Sequence, residues 1–320
     1  LSELELSTSI EKRGVIKNII SNKVKEQYEE NPYPRWTFAN EHFQTKFTFN
    51  RVLNADIKPN IVHTKNLNSP QVLIAGCGTG RQIMQAQRYS NAEITAIDLS
   101  NSSLSYAKRK LIEFNISNVE LFQMDLLDVK LLNKKFDVIE CSGVLHHMDN
   151  PSLGLESLLS VLNDKGYLKI ALYSEIARKF VVKARQYIRD NHILSNESSI
   201  RAFRLDIING NIPELNDLLI PIDFFSLSMC RDLCFHAQEH RYSISDLKEI
   251  FCLYNLNFLG FCYSKERSEL YNKIYPDEMY HLDLTNWENL ERQNPNIFLS
   301  MYQFWVSKNN ESKEKFKALD

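Results

Sequence analysis

The chain has 320 residues, with 38 Lys and Arg against 40 Asp and Glu, for a net charge of −2. Hydrophobic residues make up 43% and charged ones 24%, which excludes collagen-like, low-complexity and largely disordered chains. The even charge balance counts against a nucleic-acid acceptor, because neutralising phosphates normally leaves a surplus of Lys and Arg.

No apolar run approaches the about 18 residues needed to cross a bilayer. The start, Leu1-Ser2-Glu3-Leu4-Glu5-Leu6, lacks a basic region followed by an apolar one, so neither a membrane span nor a signal peptide is expected. Six scattered cysteines form no disulfide framework and point to a reducing, cytoplasmic compartment. Cys77 and Cys141 sit in strand-like contexts; Cys230 and Cys234, four apart, read as core.

In chain order, residues 8–30 read as a mostly polar helix ending in Tyr28-Glu29-Glu30. Asn31-Pro32-Tyr33-Pro34-Arg35-Trp36 follows, where two prolines one residue apart forbid helix and force an extended turn. Residues 40–66 read as mixed helix and loop. From Gln71, apolar runs at 72–75, 93–97, 119–122, 136–139 and 167–173 alternate with helical stretches, such as the one carrying Leu104, Ala107, Leu111 and Phe114. Five such strands predict an α/β fold with a parallel sheet covered on both faces. The next strand pattern comes only at 258–261 and the last at 298–306, so most of 174–257 is a helical insertion. Its first helix puts Ile176, Phe180, Ala184 and Ile188 on one stripe. Arg178, Lys179, Lys183, Arg185 and Arg189 surround that stripe and read as a solvated face. The division expected is a lid at 1–66, a core at 67–173, a cap or dimerisation insertion at 174–243, a return to the core at 244–308 and a polar tail at 309–320.

Ala75-Gly76-Cys77-Gly78-Thr79-Gly80 directly follows the first of these strands and precedes a helix. Its glycines let the backbone turn sharply and approach a ligand at a helix N-terminus. Asp98 ends the next strand, where a carboxylate can accept both hydrogen bonds of a ribose diol. The third strand leads into Met124-Asp125, an apolar residue and a carboxylate beside an adenine position, and the fourth into Ser142-Gly143-Val144-Leu145-His146-His147. His236-Ala237-Gln238-Glu239-His240 matches the H-x-x-E-H pattern of zinc hydrolases, if it is helical. No metal is expected, since that five-residue pattern leaves the glycine loop without a role.

The order of glycine loop, Asp98, Asp125, Phe136-Asp137-Val138-Ile139 and His146-His147 resembles the class I S-adenosylmethionine-dependent methyltransferases. With Tyr28 to Trp36 and Cys230 to Arg241 included, it resembles more narrowly the rickettsial outer-membrane-protein lysine methyltransferases and related tetratricopeptide-repeat-linked bacterial enzymes. The resemblance implies a Rossmann-like seven-stranded sheet whose last strand is antiparallel, an N-terminal helical lid and a helical insertion between strands 5 and 6. It implies S-adenosylmethionine as cofactor, held by Ala75, Gly76, Cys77, Gly78, Gly80, Asp98, Leu99, Met124, Asp125, Ser142 and Gly143. His146, His147, Tyr33 and Trp36 are the expected catalytic set, with Tyr33 and Trp36 as aromatic walls. Arg35, Arg231, His236, Glu239, His240 and Arg241 are expected to bind the acceptor. That acceptor is a protein lysine or, alternatively, a small metabolite, with a homodimer through the insertion as a further expectation.

Overall fold

The computed structural model describes residues 2–39, 45–59 and 67–309. The expected tail beyond 309 and much of the 40–66 region lie outside the described residues. The sheet contains β1 (Glu11–Lys12), β2 (Gln71–Ala75), β3 (Glu93–Asp98), β4 (Val119–Gln123), β5 (Phe136–Ser142), β6 (Leu162–Leu172), β7 (Leu256–Phe261) and β8 (Tyr302–Lys308). Their order is β1-β4-β3-β2-β5-β6-β8-β7. β8 is antiparallel to β6 and β7, and the remaining ladders are parallel. The eighth strand corrects the expected seven. β1 pairs only Glu11 with Phe122 and Lys12 with Gln123 on the free edge of β4, and two residues are too few to show an alternating pattern.

Leu73, Ile139 and Ile170 face one apolar layer, and Val72, Ile74 and Val138 face the other. Burial on both sides explains why these strands read as unbroken apolar runs. The layers are built with α1 (Glu3–Ser7), α2 (Ile19–Glu30), α3 (Phe49–Asp56), α4 (Arg81–Ala86), α5 (Asn101–Glu113), α6 (Pro151–Val161), α10 (Ile244–Leu253), α11 (Lys265–Ile274) and α12 (Leu284–Gln293). Between the two groups come α7 (Lys179–Asp190), α8 (Glu197–Ile208) and α9 (Leu227–Phe235). These three pack around a separate cluster that includes Val181, Phe203, Leu218, Phe224, Cys230 and Cys234.

Of the single helix expected over 8–30, only α2 forms, and β1 occupies part of the stretch before it. Gly14 adopts φ 73°, and a Cβ there would lie 2.3 Å from Asp128 Oδ2, so the chain turns off the sheet edge after β1 and before α2 begins. Asn18 starts α2 by accepting the backbone N–H groups of Ile20 and Ser21. At the other end of α2, Glu29 accepts the backbone N–H groups of Asn101 and Ser102 at 2.8 and 2.9 Å and the Ser102 hydroxyl at 2.6 Å. The carboxylate thereby satisfies the open first turn of α5.

The basic face of α7 is also corrected. Lys179, Lys183 and Arg189 are exposed, but Arg178 is 3% exposed and paired with Glu239. Arg185 donates to the His236 carbonyl at 2.9 Å. Arg178 precedes the first turn of α7 and points back toward the sheet rather than around the helix.

Candidate functional site

β2 ends at Ala75, and the chain then turns through three glycines with φ of 72°, 50° and 89°. The Gly76 and Cys77 N–H groups both donate to the Ile97 carbonyl, at 2.8 and 3.0 Å, which locks the loop against the end of β3. A Cβ on Gly76 would lie 2.2 Å from Val144 Cγ2, and one on Gly80 would lie 2.9 Å from Ala107 Cβ. These two glycines permit close packing. Asp98 accepts from Gly78 N–H at 2.8 Å and Ser100 N–H at 2.9 Å, using one lone pair on each oxygen. Burial pushes its carboxyl up to about 6, against the pull of those two hydrogen bonds. Asp125 lies two residues past the end of β4, where its Oδ1 accepts Leu127 N–H at 3.0 Å.

The loop forms one side of a cavity of about 650 Å³. Gly76, Cys77, Gly78, Asp98, Leu99, Met124, Asp125, Ser142 and Gly143 all line it. Two carboxylates beside Leu99, Met124 and Val144 form a donor-accepting, apolar cleft suited to a nucleoside. A Cβ on Gly143 would meet nothing within 4 Å, so that edge is open. Gln82 donates to the Ser142 carbonyl at 3.0 Å, while its buried Oε1 has no partner among the described residues. That oxygen can accept from an ammonium group on the ligand.

The opposite side is aromatic and acidic. Tyr28, Tyr33 and Pro34 line it from the N-terminal segment, Tyr173 from the end of β6, and Asp223 and Asp232 from the cap. Tyr28 donates to Asp232 Oδ1 at 2.7 Å. Burial, followed by the neighbouring Asp232 charge, raises the Asp223 carboxyl. Arg178 also reaches the cavity, but Glu239 neutralises it. Its guanidinium carbon lies 3.7 Å from the centre of the Tyr173 ring, and the His146 ring stacks on the same tyrosine at 3.9 Å and 23°. Two groups this close cannot share a face, so Tyr173 is clamped between them. At the floor, Lys169 bonds Asp56 at 3.1 Å and Tyr89 donates to Glu140 at 2.6 Å. Arg88 binds Asp56 through two bonds of 2.7 Å.

Residues 68–218 match the family described as a methyltransferase domain. Over that stretch the chain is similar to methyltransferase domains. Its fold is shared with PKMT2 from Rickettsia typhi at a TM-score of 0.62 and 17% identity, over 87% of this chain and 54% of that one. A structure of PKMT2 in complex with AdoHcy superposes equally well. An uncharacterised protein of Synechococcus sp. is 33% identical over 214 residues, covering 61% of this chain and 49% of that protein. The ubiquinone biosynthesis O-methyltransferase of Haemophilus ducreyi is 27% identical over 130 residues, 38% of this chain and 54% of the enzyme. The chain spans about half the length of these relatives.

Within residues 68–218, Ala75 and Gly80 flank the cavity without lining it. His147 lines it, whereas His146 is fully buried and both its ring nitrogens lack partners among the described residues. His147 donates through Nδ1 to the Gln238 carbonyl at 2.7 Å and stacks on His236 at 3.5 Å. Burial first, and neighbouring His236 second, lower its pKa well below the ordinary histidine value, so the ring is neutral at pH 7.

Of the two expected aromatic walls, only Tyr33 lines the cavity. Trp36 is buried, donates to the Thr79 carbonyl at 3.1 Å and stacks on Phe114. It anchors the N-terminal segment to the glycine loop and does not line the cavity. None of Arg35, Arg231, His236, Glu239, His240 and Arg241 lines the cavity. Arg35 is exposed near Glu3, and Arg231 donates to the Ser195 carbonyl. Residues 236–240 are not helical: α9 stops at Phe235 and His236 is extended. His236 and His240 therefore do not share a helix face, and His240 Nε2 instead lies 3.0 Å from the Met148 carbonyl oxygen.

The cavity residues missed from the sequence include Arg81 and Gln82 beside the glycine loop, Tyr28, Tyr173, Arg178, Asp223 and Asp232 on the acceptor side, and lastly Lys169 and Glu140 at the floor. Charged residues within apolar strand runs were the available signal for the last two.

Proposed function

We propose that this chain transfers a methyl group from S-adenosylmethionine to an amine, and that the amine is a lysine side chain of a protein. One observation carries the reading. The side of the cavity facing the nucleoside cleft combines Asp223 and Asp232 with Tyr28, Tyr33 and Tyr173; of the two guanidinium groups that reach the cavity, Arg178 is neutralised by Glu239 and Arg81 belongs to the first turn of α4. Carboxylates and aromatic faces together suit an alkylammonium, through charge and cation–π attraction.

In this reading Asp98 accepts the ribose hydroxyls, Asp125 stands beside the adenine, and Leu99, Met124 and Val144 flank the base. Gln82 Oε1 accepts from the amino group at the other end. When bound, S-adenosylmethionine supplies a methyl group on a sulfonium, whose neutral thioether is a good leaving group. The protein therefore acts mainly by alignment and by excluding water. A lysine ammonium must first lose its proton. Asp223, a stronger base than an exposed carboxylate because of its burial, is placed to accept it, and neutral His147 is the second candidate. The free, mostly buried cysteines support a reducing compartment for this activity.

The alternative acceptor, a small metabolite, is favoured by the likeness to the Haemophilus ducreyi O-methyltransferase, which covers 38% of this chain. Incubation with methyl-tritiated cofactor and either lysine-rich polypeptides or a metabolite extract separates the readings. Label on polypeptide lysine supports the proposal, and label on small molecules alone overturns it.

A further inference from the structure

We propose that the cavity rim is a docking lip for an extended polypeptide segment whose target lysine has aliphatic residues two positions away on either side. This rests on the lysine acceptor proposed above. Ile220 and Ile222 both line the cavity, yet they are 57% and 78% exposed. Pro221 separates them and Asp223 follows directly. One short turn thus supplies both the apolar surface and a carboxylate of the acceptor well.

The turn is held firmly. Phe224 is fully buried in the cap core, its N–H donates to the Pro221 carbonyl at 3.2 Å, and its own carbonyl accepts from Arg204 at 2.8 Å. The isoleucines are therefore displayed by a fixed backbone. Across the cavity, Val24 lines the wall from α2, and Ile19 at the start of that helix is 73% exposed.

Exposed aliphatic side chains around a polar well fit a partner that is cationic at its centre and apolar beside it. A free amine would fill the well and leave the lip in water. An extended peptide covers both: residues two apart share a face and lie about 6–7 Å apart along the strand. With the lysine in the well, the side chains at −2 and +2 come down on either side of it.

Two fluorescent peptides of equal length and charge test this, one with Val and one with Ser at both positions. Their binding is measured by anisotropy in the presence of S-adenosylhomocysteine, and their methylation with tritiated cofactor. The wild type should bind the Val peptide about tenfold more tightly, equivalent to about 1.4 kcal/mol. The double variant Ile220→Ser/Ile222→Ser, which should stay folded because both residues are exposed, should reduce that preference to less than about twofold. Equal dissociation constants in the wild type, or a preference that survives in the variant, overturn the lip. If both peptides are methylated with equal affinity, the lip fails and the lysine acceptor stands. If a simple alkylamine is methylated and neither peptide is, the polypeptide acceptor fails along with it.

Discussion

Arg178 packs its guanidinium on the Tyr173 ring at 3.7 Å while pairing with the buried carboxylate of Glu239. One side chain thereby fixes the cap to the sheet and a cavity tyrosine to both. The Glu239 side chain is only 1% exposed, so removing its partners leaves a buried acceptor without any.

Arg178→Met should lower stability toward the bottom of the about 3–5 kcal/mol range for breaking a buried pair. The loss is limited because Arg241 still reaches Glu239 at 3.4 Å. Chemical denaturation measures this, and Arg178→Met/Glu239→Gln should recover at least half of the loss. A double variant no more stable than the single one would show that packing on Tyr173, and not the ion pair, dominates.

Asp98→Asn should weaken S-adenosylhomocysteine binding strongly in calorimetry. In the wild type, affinity should fall as pH drops through about 6, where burial has placed the Asp98 carboxyl. The stability linkage has the opposite sign. A carboxyl raised in the folded state contributes stability below its unfolded value near 4, and that contribution is lost as pH rises through about 6. Thermal melts of the free protein across this window should show such a component, and Asp98→Asn should remove it.

Asp223→Asn and Asp232→Asn should each cut kcat/KM for a lysine acceptor by about 10- to 100-fold, the range for losing a charge contact or a proton acceptor. The dissociation constant of the cofactor should hardly change. A matching loss in cofactor binding would place these carboxylates on the wrong side of the cavity.

Trp36→Ala should destabilise the protein by about 3–5 kcal/mol, since the ring is buried against Phe114 and Tyr106. Trp36→Phe, which loses chiefly the bond to Thr79, should cost about 1 kcal/mol. Similar melting temperatures for both variants would mean that the indole nitrogen, and not the ring, matters.

The sheet was legible because strands buried on both faces leave continuous apolar runs, as at 72–75 and 136–139. The side of the cavity formed by the glycine loop was legible because loop, carboxylate and carboxylate recur in step at Gly76, Asp98 and Asp125. The acceptor side was not. Asp223 and Asp232 lie in a cap whose docking depends on tertiary contacts such as Arg178–Glu239, and nothing local marks them. Arg178 itself reads as one more solvated base on α7 until its direction is known. Residues 236–240 mislead for a related reason: the helical spacing of their histidines is present, but the helix ends one residue earlier. Trp36 shows that an aromatic residue in a turn can serve as an anchor as well as a wall.

Glu29 gives the N-terminal segment a mechanical character. Swinging α2 outward would strip three hydrogen bonds from a carboxylate, each worth about 1.5–3 kcal/mol, and would uncap α5 in the same motion. The N-terminal segment is thus a fastened panel rather than a hinged door. Entry past the exposed Ile220 and Ile222, or along the open edge at Gly143, breaks none of these bonds.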